Sequence, residues 1–323
     1  MESLGVTAAP AARASMAGGD AWARTSVVAV THDSSHVIGP CLASVARATA
    51  IVVVDNASRD GCVAAVRANA PAAELIANPV GLGYGNGANQ GLERVASEFA
   101  LVINPDAVLR AGALDALIAA ADAYPDAAML GPAIYNPDGS LEISHDTGLF
   151  ERARLDARRD GEPAPEGPLC AGFLSGAVFV LRMSAVRATG GYDPAIFLYY
   201  EDDDLCLRLR AAGYSLVLVP GAQAEHLGGG SIHAGWASHW EKFFHMAWSR
   251  LYVEAKHGRA GGGPAVALGN ALGFAAKALG YALIGQATKA VRDAARASGS
   301  LAYLLGRPAS RSTRRARPKS SAP

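Results

Sequence analysis

The chain lacks an excess of charge of either sign. Across 323 residues, 29 lysines and arginines are balanced by 29 aspartates and glutamates. Such a balance does not fit a dedicated nucleic-acid binder, whose footprint is a basic surface. Cysteine is scarce and scattered: Cys41, Cys62, Cys170 and Cys206 form no CxxC pair. That spacing excludes the usual zinc-site and disulfide-framework patterns and points to reduced thiols in a cytosolic compartment. No continuous apolar run lies in the first 24 residues, which are Ala-rich with Arg13 and Arg24. A signal peptide is therefore not expected, and residues 1–24 read as a disordered leader.

What the chain does have is apolar mass. Half of it is hydrophobic and only 18% is charged, enough for a sizeable core in one large or two small domains. In its first half, short β-branched runs alternate with amphipathic stretches. Ser26 to Thr31, Ala50 to Asp55, Glu74 to Ala77 and Phe99 to Asn104 read as strands. His36 to Ala48, Asp60 to Asn69 and Gly85 to Ser97 read as helices between them. This alternation predicts βαβ units and a parallel sheet. Ligands on such sheets bind beyond the carboxyl ends of the strands, so the polar residues there matter most. They are Thr31-His32-Asp33, Asp55-Asn56-Ala57-Ser58 and Asn104-Pro105-Asp106. Asp55 could equally cap the following helix. Asp106 follows Pro105, which fixes the turn and aims the carboxylate outward. A hard divalent cation on a diphosphate would want such an oxygen ligand.

Between these strand ends lies NPVGLGYGNGANQG, residues 78–91. Its glycines follow the third strand, not the first, which counts against a dinucleotide fingerprint. It reads instead as a flexible loop entering a helix, with backbone amides and Asn89 able to approach a ligand; a purely structural turn is the alternative. Further on, Cys170 to Arg182 reads as a small-residue turn running into a strand. Ser175 there is flanked by Leu174 and Gly176, which is not a GxSxG elbow.

The densest chemistry lies in GGYDPAIFLYYEDDDLCLRLRAAG, residues 190–213. Leu205, Leu209 and Ala212 share one face of a predicted helix that Gly213 ends. One or two acids at its start would complement the helix dipole. Four, Glu201 to Asp204, repel one another unless a cation or a hydroxyl needing a base is brought to them.

Four segments, VDNAS at 54–58, residues 78–91, NPD at 104–106 and the 190–214 stretch, match in order and spacing the family 2 glycosyltransferases. The resemblance covers about residues 26–257 and within the family is closest to bacterial rhamnosyltransferases that build cell-wall and surface polysaccharides on a polyprenyl diphosphate. It implies an α/β, GT-A nucleotide-diphospho-sugar transferase fold, a mainly parallel sheet flanked by helices, with a helical tail. It implies a metal-dependent, inverting enzyme using Mg²⁺ or Mn²⁺, a nucleotide-sugar donor and a lipid-linked or glycan acceptor. By resemblance, Asp202 is the catalytic base, with Glu201 and Asp204 also candidates and Asp203 a rival. Asp55 would contact the nucleoside base, and Thr31, Asn56, Asn89 and Asn104 complete the donor-side candidates. Asp106 would hold the metal as the last acid of a DxD-like motif that here begins with Asn104. His226, which follows a short strand read at Ser215 to Pro220 and lies in EHLGGGS, is a second metal or diphosphate candidate, the glycines after it allowing backbone to approach phosphate. Trp240, His245, Ser249, Arg250 and Lys256 would lie on a helix near the site, where basic groups could clamp the diphosphate. Family members often carry Thr-Tyr-Asn where this chain has Thr31-His32-Asp33, so the base pocket is expected to differ.

The resemblance makes dTDP-rhamnose the first donor to test and a UDP-sugar such as UDP-galactofuranose the next. A catalytically silent nucleotide-sugar-binding module is a different reading, against which the intact acids argue. A nucleotidyltransferase would be expected to carry glycine right after the first strand, and Thr31 to Ser35 has none.

Gly261-Gly-Gly-Pro264 marks the expected end of a 26–258 catalytic domain. Residues 264–305 are then apolar, with Leu268, Leu272, Leu279 and Leu283 in near-heptad register, followed by Lys289, Arg292 and Arg296. The pattern suits a helix lying in a membrane interface, with a spanning helix and a helix covering the domain's own apolar surface as the alternatives. Residues 306–323 are basic without an acid and read as a disordered tail. The expected location is cytoplasmic, peripheral at the inner face of the cell membrane.

Overall fold

The computed structural model describes residues 20–152, 165–227 and 235–310, together with 159, 162 and 163. In the first half β1 (Thr25–Thr31), β2 (Ile51–Asp55), β3 (Glu74–Ala77) and β4 (Phe99–Ile103) alternate with α1 (Ile38–Ser44), α2 (Cys62–Asn69) and α3 (Tyr84–Leu92). These four strands pair in parallel, in the order β3-β2-β1-β4. The β-branched runs form strands because both sheet faces are covered. Val27, Ala29, Phe99, Leu101 and Ile103 pack into a core with α1, α2 and α4 (Ala113–Ala123). Val28, Val30, Ala100 and Val102 point the other way, toward α3, α5 (Met183–Thr189) and α6 (Glu201–Ala211).

The second half extends the sheet with mixed directions. Beyond β4 come β9 (Val178–Arg182), antiparallel to both neighbours, then β6 (Ala127–Tyr135), β10 (Ser215–His226) and β5 (Ala107–Leu109). β10 runs parallel to β6 and antiparallel to β5. The short strands β7 (Leu141–Glu142) and β8 (Leu169–Cys170) pair with β6 and β10. The architecture is thus α/β with a mixed central sheet flanked by helices. The first four strands are parallel as expected, but the later strands enter antiparallel at β9, β5, β7 and β8, so the sheet is not mainly parallel. β10 does not end at Pro220, as its apolar run implies. It breaks register between Val219 and Gln223 and continues to His226, which carries that histidine to the site.

The glycines of residues 78–91 have a packing reason. Most of the segment is α3, and a β-carbon on Gly91 would stand 2.4 Å from Val28 Cγ1. The helix lies this close to the sheet only without one; the helix expected from Gly85 is α3, which starts at Tyr84 and ends at Leu92, short of the expected Ser97.

At the chain's start, residues 20–24 of the expected leader form a turn in which Trp22 is buried and Arg24 bonds Asp122 at 2.8 Å and Glu98 at 2.9 Å. Residues 1–19, the glycines 228–230 and residues 311–323 of the basic tail lie outside the described residues. At the other end α7 (Trp236–Lys256) is followed by the helical pair α8 (Pro264–Leu283) and α9 (Ala287–Leu304). α9 packs against α7, and α8 packs against α9.

Candidate active site

The carboxyl ends of β1 and β4, the residues before β9, the end of β10 and the start of α6 surround one cavity of about 510 Å³. Its lining includes Thr31, Asn56, Asn104, Asp106, Glu201, Asp202 and His226. These are seven of the residues expected to act, gathered from positions up to 195 apart in the chain (31 to 226). Asp55, Asn89 and Asp204 are not on the cavity wall. Asp55 is buried, accepts from the Thr31 hydroxyl at 3.2 Å and from the Ser58 amide at 3.0 Å. Asn89 spends both ends of its amide on Tyr192, donating to its carbonyl at 2.9 Å and accepting from its amide at 2.8 Å. Its work is to tie α3 to the loop before α6. Asn56 lines the cavity but also pins the glycine-rich turn, donating to Gly83 O at 3.0 Å and accepting from Leu82 N at 2.8 Å.

The four acids start a helix, where consecutive side chains diverge by about 100°, so they cannot share one environment. Glu201 is buried, and burial together with the neighbouring Asp202 charge pushes its carboxyl well above the usual range. Its Oε2 has no hydrogen-bond partner among the described residues. Asp202 is partly exposed to the cavity. Burial and then Asp203 push it up to about 7, against the Tyr192 hydroxyl, which donates to its Oδ1 at 3.4 Å, and the Gly176 amide. Asp203 turns away to accept from the Leu149 amide. Asp204 is fully buried between Arg208 at 2.7 Å, Lys256 at 2.7 Å and His257 at 2.9 Å. Burial alone would raise its pKa, but Arg208 and Lys256 hold it below the ordinary range. Asp204 therefore stands as a structural anion in this arrangement.

Immediately before the acids, Tyr199 and Tyr200 both adopt left-handed backbone, at φ 65° and 66°. Bulky residues rarely do so, and the cost of such strain must be met by surrounding contacts. They are present here. Gly83, at φ 88°, lies so close to this loop that a β-carbon would stand 2.0 Å from Phe197 O. Tyr84 N donates to the same carbonyl at 3.1 Å. From the other side α7 grips the loop: Ser249 donates to Leu198 O at 3.0 Å, and the buried His245 ring stacks on Phe197 at 4.6 Å. Burial lowers His245 to about 4, keeping it neutral.

On the opposite wall Asp106 is buried, with His226 Nε2 3.5 Å from its Oδ1. His226 Nδ1 faces Glu142 at 3.2 Å. Burial alone would lower His226, but Asp106 and Glu142 push it up to about 9. Asn104 Oδ1, beside them in the cavity wall, is buried without a hydrogen-bond partner among the described residues. Among the described residues, no three His, Cys, Asp or Glu side chains come together to hold a metal. The chain offers a partial oxygen and nitrogen donor set, which fits a hard divalent cation whose other ligands are diphosphate oxygens and water.

Several lining residues were not foreseen. Tyr84, Gly176 and Tyr199 reach the cavity, as do Ser238, Glu241 and Lys242 from α7. The α7 residues expected to clamp a diphosphate do other work. Lys256 bonds Asp193 and Asp204, and Arg250 bonds Glu254 at 2.8 Å. Lys242 is the lysine that α7 brings to the cavity, and only its place on the folded helix reveals it.

A cavity at the strand ends of a mixed α/β sheet, with an Asn-Pro-Asp turn on one wall and a helix-starting acid on the other, defines a GT-A nucleotide-diphospho-sugar transferase fold. Residues 26–185 match the model of the family Glycosyl transferase family 2. The chain is 32% identical over 235 residues to the N-acetylglucosaminyl-diphospho-decaprenol L-rhamnosyltransferase of Mycobacterium tuberculosis, covering 62% of this chain and 75% of that one. Over 54 residues it is 41% identical to rhamnosyltransferase WbbL of Escherichia coli, covering 17% and 20% of the two chains. In fold it is similar to the mannosyltransferase PcManGT of Pyrobaculum calidifontis, solved with GDP-Man and Mn²⁺: TM-score 0.54 and 16% identity, covering 88% of this chain and 87% of that one. The chain belongs to the family 2 glycosyltransferases.

Proposed function

We propose that this glycosyltransferase moves rhamnose from dTDP-rhamnose to a sugar on a polyprenyl diphosphate, with inversion, in cell-wall or surface-glycan assembly at the inner face of the cell membrane. The observation that carries the transfer chemistry is Asp202. It reaches the cavity with a pKa pushed up to about 7, whereas Asp203 and Asp204 are turned into the protein. Such a carboxylate is ionised in substantial part near neutral pH and is basic enough to take a proton. In the reaction the acceptor hydroxyl loses its proton to Asp202 while its oxygen bonds the anomeric carbon. The bond from that carbon to the diphosphate oxygen breaks in line, and the nucleoside diphosphate leaves with the electron pair. Burial and the Asp202 charge raise the Glu201 carboxyl well above the ordinary range, which disfavours a second negative charge beside the base. Tyr192 and Gly176 hold the Asp202 carboxylate from behind. Asp106 and His226, with Asn104 Oδ1, are the residues that would hold Mg²⁺ or Mn²⁺. A bound cation would neutralise charge growing on the leaving diphosphate.

The donor and acceptor rest on the relatives, whose names specify rhamnose transfer and, in the mycobacterial case, a decaprenol-linked N-acetylglucosamine. Calorimetric titration with dTDP, UDP and GDP, with and without Mn²⁺, tests the donor. Metal-dependent dTDP binding supports the reading, and transfer of rhamnose to a synthetic polyprenyl-diphospho-N-acetylglucosamine completes it. Preference for UDP or GDP would overturn the rhamnosyl assignment, and no nucleotide binding by the folded chain would overturn the enzyme's proposed role.

A further inference from the structure

The helices after the catalytic core leave an apolar surface bare. α8 buries Ala267 and Ala271 against α9, while Leu272, Leu279 and Leu283 on its other sides are 63%, 64% and 79% exposed. Leu268 and Ile284 extend the exposed apolar face. Apolar surface of this extent, gathered on one element, marks an interaction site.

At 20 residues α8 is long and apolar enough to cross a bilayer. Its partner argues against crossing. α9 lies along α8 and carries Lys289, Arg292, Asp293 and Arg296. Asp293 is fully buried, bonded to Arg292 at 2.8 and 2.9 Å and to Arg296 at 3.4 Å. Insertion would carry this charged cluster into hydrocarbon or strip α9 from α8, and either is costly.

Charge identifies the occupant. Residues 264–323 contain ten lysines and arginines and one acid, Asp293, a net of +9. With 29 of each sign in the whole chain, residues 1–263 hold 19 basic and 28 acidic side chains, a net of −9. The neutral total conceals a strong charge asymmetry along the chain. Within the described residues 264–310, Lys277, Lys289, Arg292, Arg296 and Arg307 against Asp293 leave a net of +4, so a second copy presenting the same face would set +4 against +4. An anionic bilayer attracts this end and repels the catalytic body, which orients the molecule as well as holding it.

We infer that the α8–α9 pair is an in-plane docking surface for anionic phospholipid bilayers, with the leucines of α8 in the headgroup boundary. α7 couples this surface to the active site. Its early residues Ser238, Glu241 and Lys242 line the cavity. Further along it seats α9: a β-carbon on Gly299 would stand 2.3 Å from Phe244 O, and Trp248 Nε1 donates to Arg307 O at 2.9 Å. Docking therefore fixes where the α7 wall of the cavity sits relative to the membrane. This consequence rests on the lipid-linked acceptor proposed above; the docking itself does not.

The test is flotation of the full chain with phosphatidylcholine vesicles and with vesicles containing one-quarter phosphatidylglycerol. Binding is expected to the anionic vesicles only, to fall at least tenfold in 0.5 M salt, and to be released by alkaline carbonate. The double variant Leu272→Asp/Leu279→Asp should lose at least tenfold in vesicle binding, and Arg314→Glu/Arg315→Glu, in the basic C-terminal sequence, should weaken it in folded protein. Equal binding to neutral vesicles, resistance to carbonate, or no loss in either variant would overturn the inference. So would sedimentation showing dimers that the leucine variant abolishes without any vesicle binding. Nucleotide titration of the same samples separates the two readings: a chain that binds nucleotide but no vesicle fails as a docking protein only, and the reverse fails as the proposed transferase only.

Discussion

The Asp202 carboxylate lies against the backbone of Gly176: a β-carbon there would stand 2.1 Å from Asp202 Oδ2 and 2.6 Å from Cγ. Gly176 precedes β9, and its amide is one of the groups that lower the Asp202 pKa. The base thus keeps its place only because this residue has no side chain. Gly176→Ala should displace the carboxylate by about an ångström and lower kcat about 100-fold. Calorimetry should show nucleotide affinity within about twofold of wild type. Equal losses in binding and turnover would mean that Gly176 shapes the whole pocket instead.

Asp204 separates structure from chemistry among the acids. Its carboxylate binds Arg208 and Lys256, and Lys256 also bonds Asp193 at 2.6 Å, so α6, α7 and the loop before α6 meet on it. Breaking one side of a buried ion pair costs about 3–5 kcal/mol. Asp204→Asn should lower the denaturation midpoint by several degrees, whereas Asp202→Asn should leave it nearly unchanged. Differential scanning calorimetry of the two variants checks this. The opposite order would move the catalytic assignment from Asp202 toward Asp204.

On the other wall, Asp106→Asn removes the one carboxylate of the partial metal site, and His226→Ala removes its nitrogen. Each should abolish the Mn²⁺-dependent part of dTDP binding while leaving the metal-independent part in place. Titration with and without Mn²⁺ reads both at once. A variant that keeps the full metal enhancement would show that the cation is held elsewhere.

The parts of this molecule that could be read from its residues are those set locally. β1, β2 and β4 are β-branched or apolar runs buried on both faces, so their pattern is their structure, and β3 matches its expected limits, Glu74 to Ala77. The α6 helix, too, ends with Gly213 at φ 90° just beyond it. The strand-end residues Asp106 and Asn104 and the cluster at 201–204 were legible for the same reason. What was not legible was set by distant packing. The glycines of residues 78–91 look alike whether a ligand or a packed neighbour approaches them, and only the folded contacts, Gly91 on Val28 and Gly83 on Phe197, distinguish the cases. Asn89 has the chemistry of a ligand contact, yet its amide is spent on Tyr192, 103 residues away. Pro220 reads as a strand end, but the register break carries β10 onward to His226. Lys242 and Glu142 have no local signal, since each acquires its role only when α7 or β7 is placed beside the cavity.

The pH dependence of transfer follows from Asp202. Burial and the charge of Asp203 raise its pKa from the ordinary carboxylate range to about 7. A base works only when ionised. Below about pH 7 kcat/KM should therefore fall roughly tenfold per pH unit, and above it the profile should level off. If Tyr192→Phe removes a hydrogen bond that favours the ionised form, its midpoint must move to higher pH. That direction distinguishes a hydroxyl acting on the base from one that merely fills space, because loss of packing alone lowers the plateau without moving the midpoint. Asp202→Asn should remove the dependence altogether, with turnover down about 10²–10⁴-fold and nucleotide binding near normal. Initial rates from pH 5.5 to 9, measured for the three proteins at matched donor saturation, check all of this. A wild-type midpoint near 4 would place the base in water, not in the buried setting that Tyr192, Gly176 and Glu201 build around it.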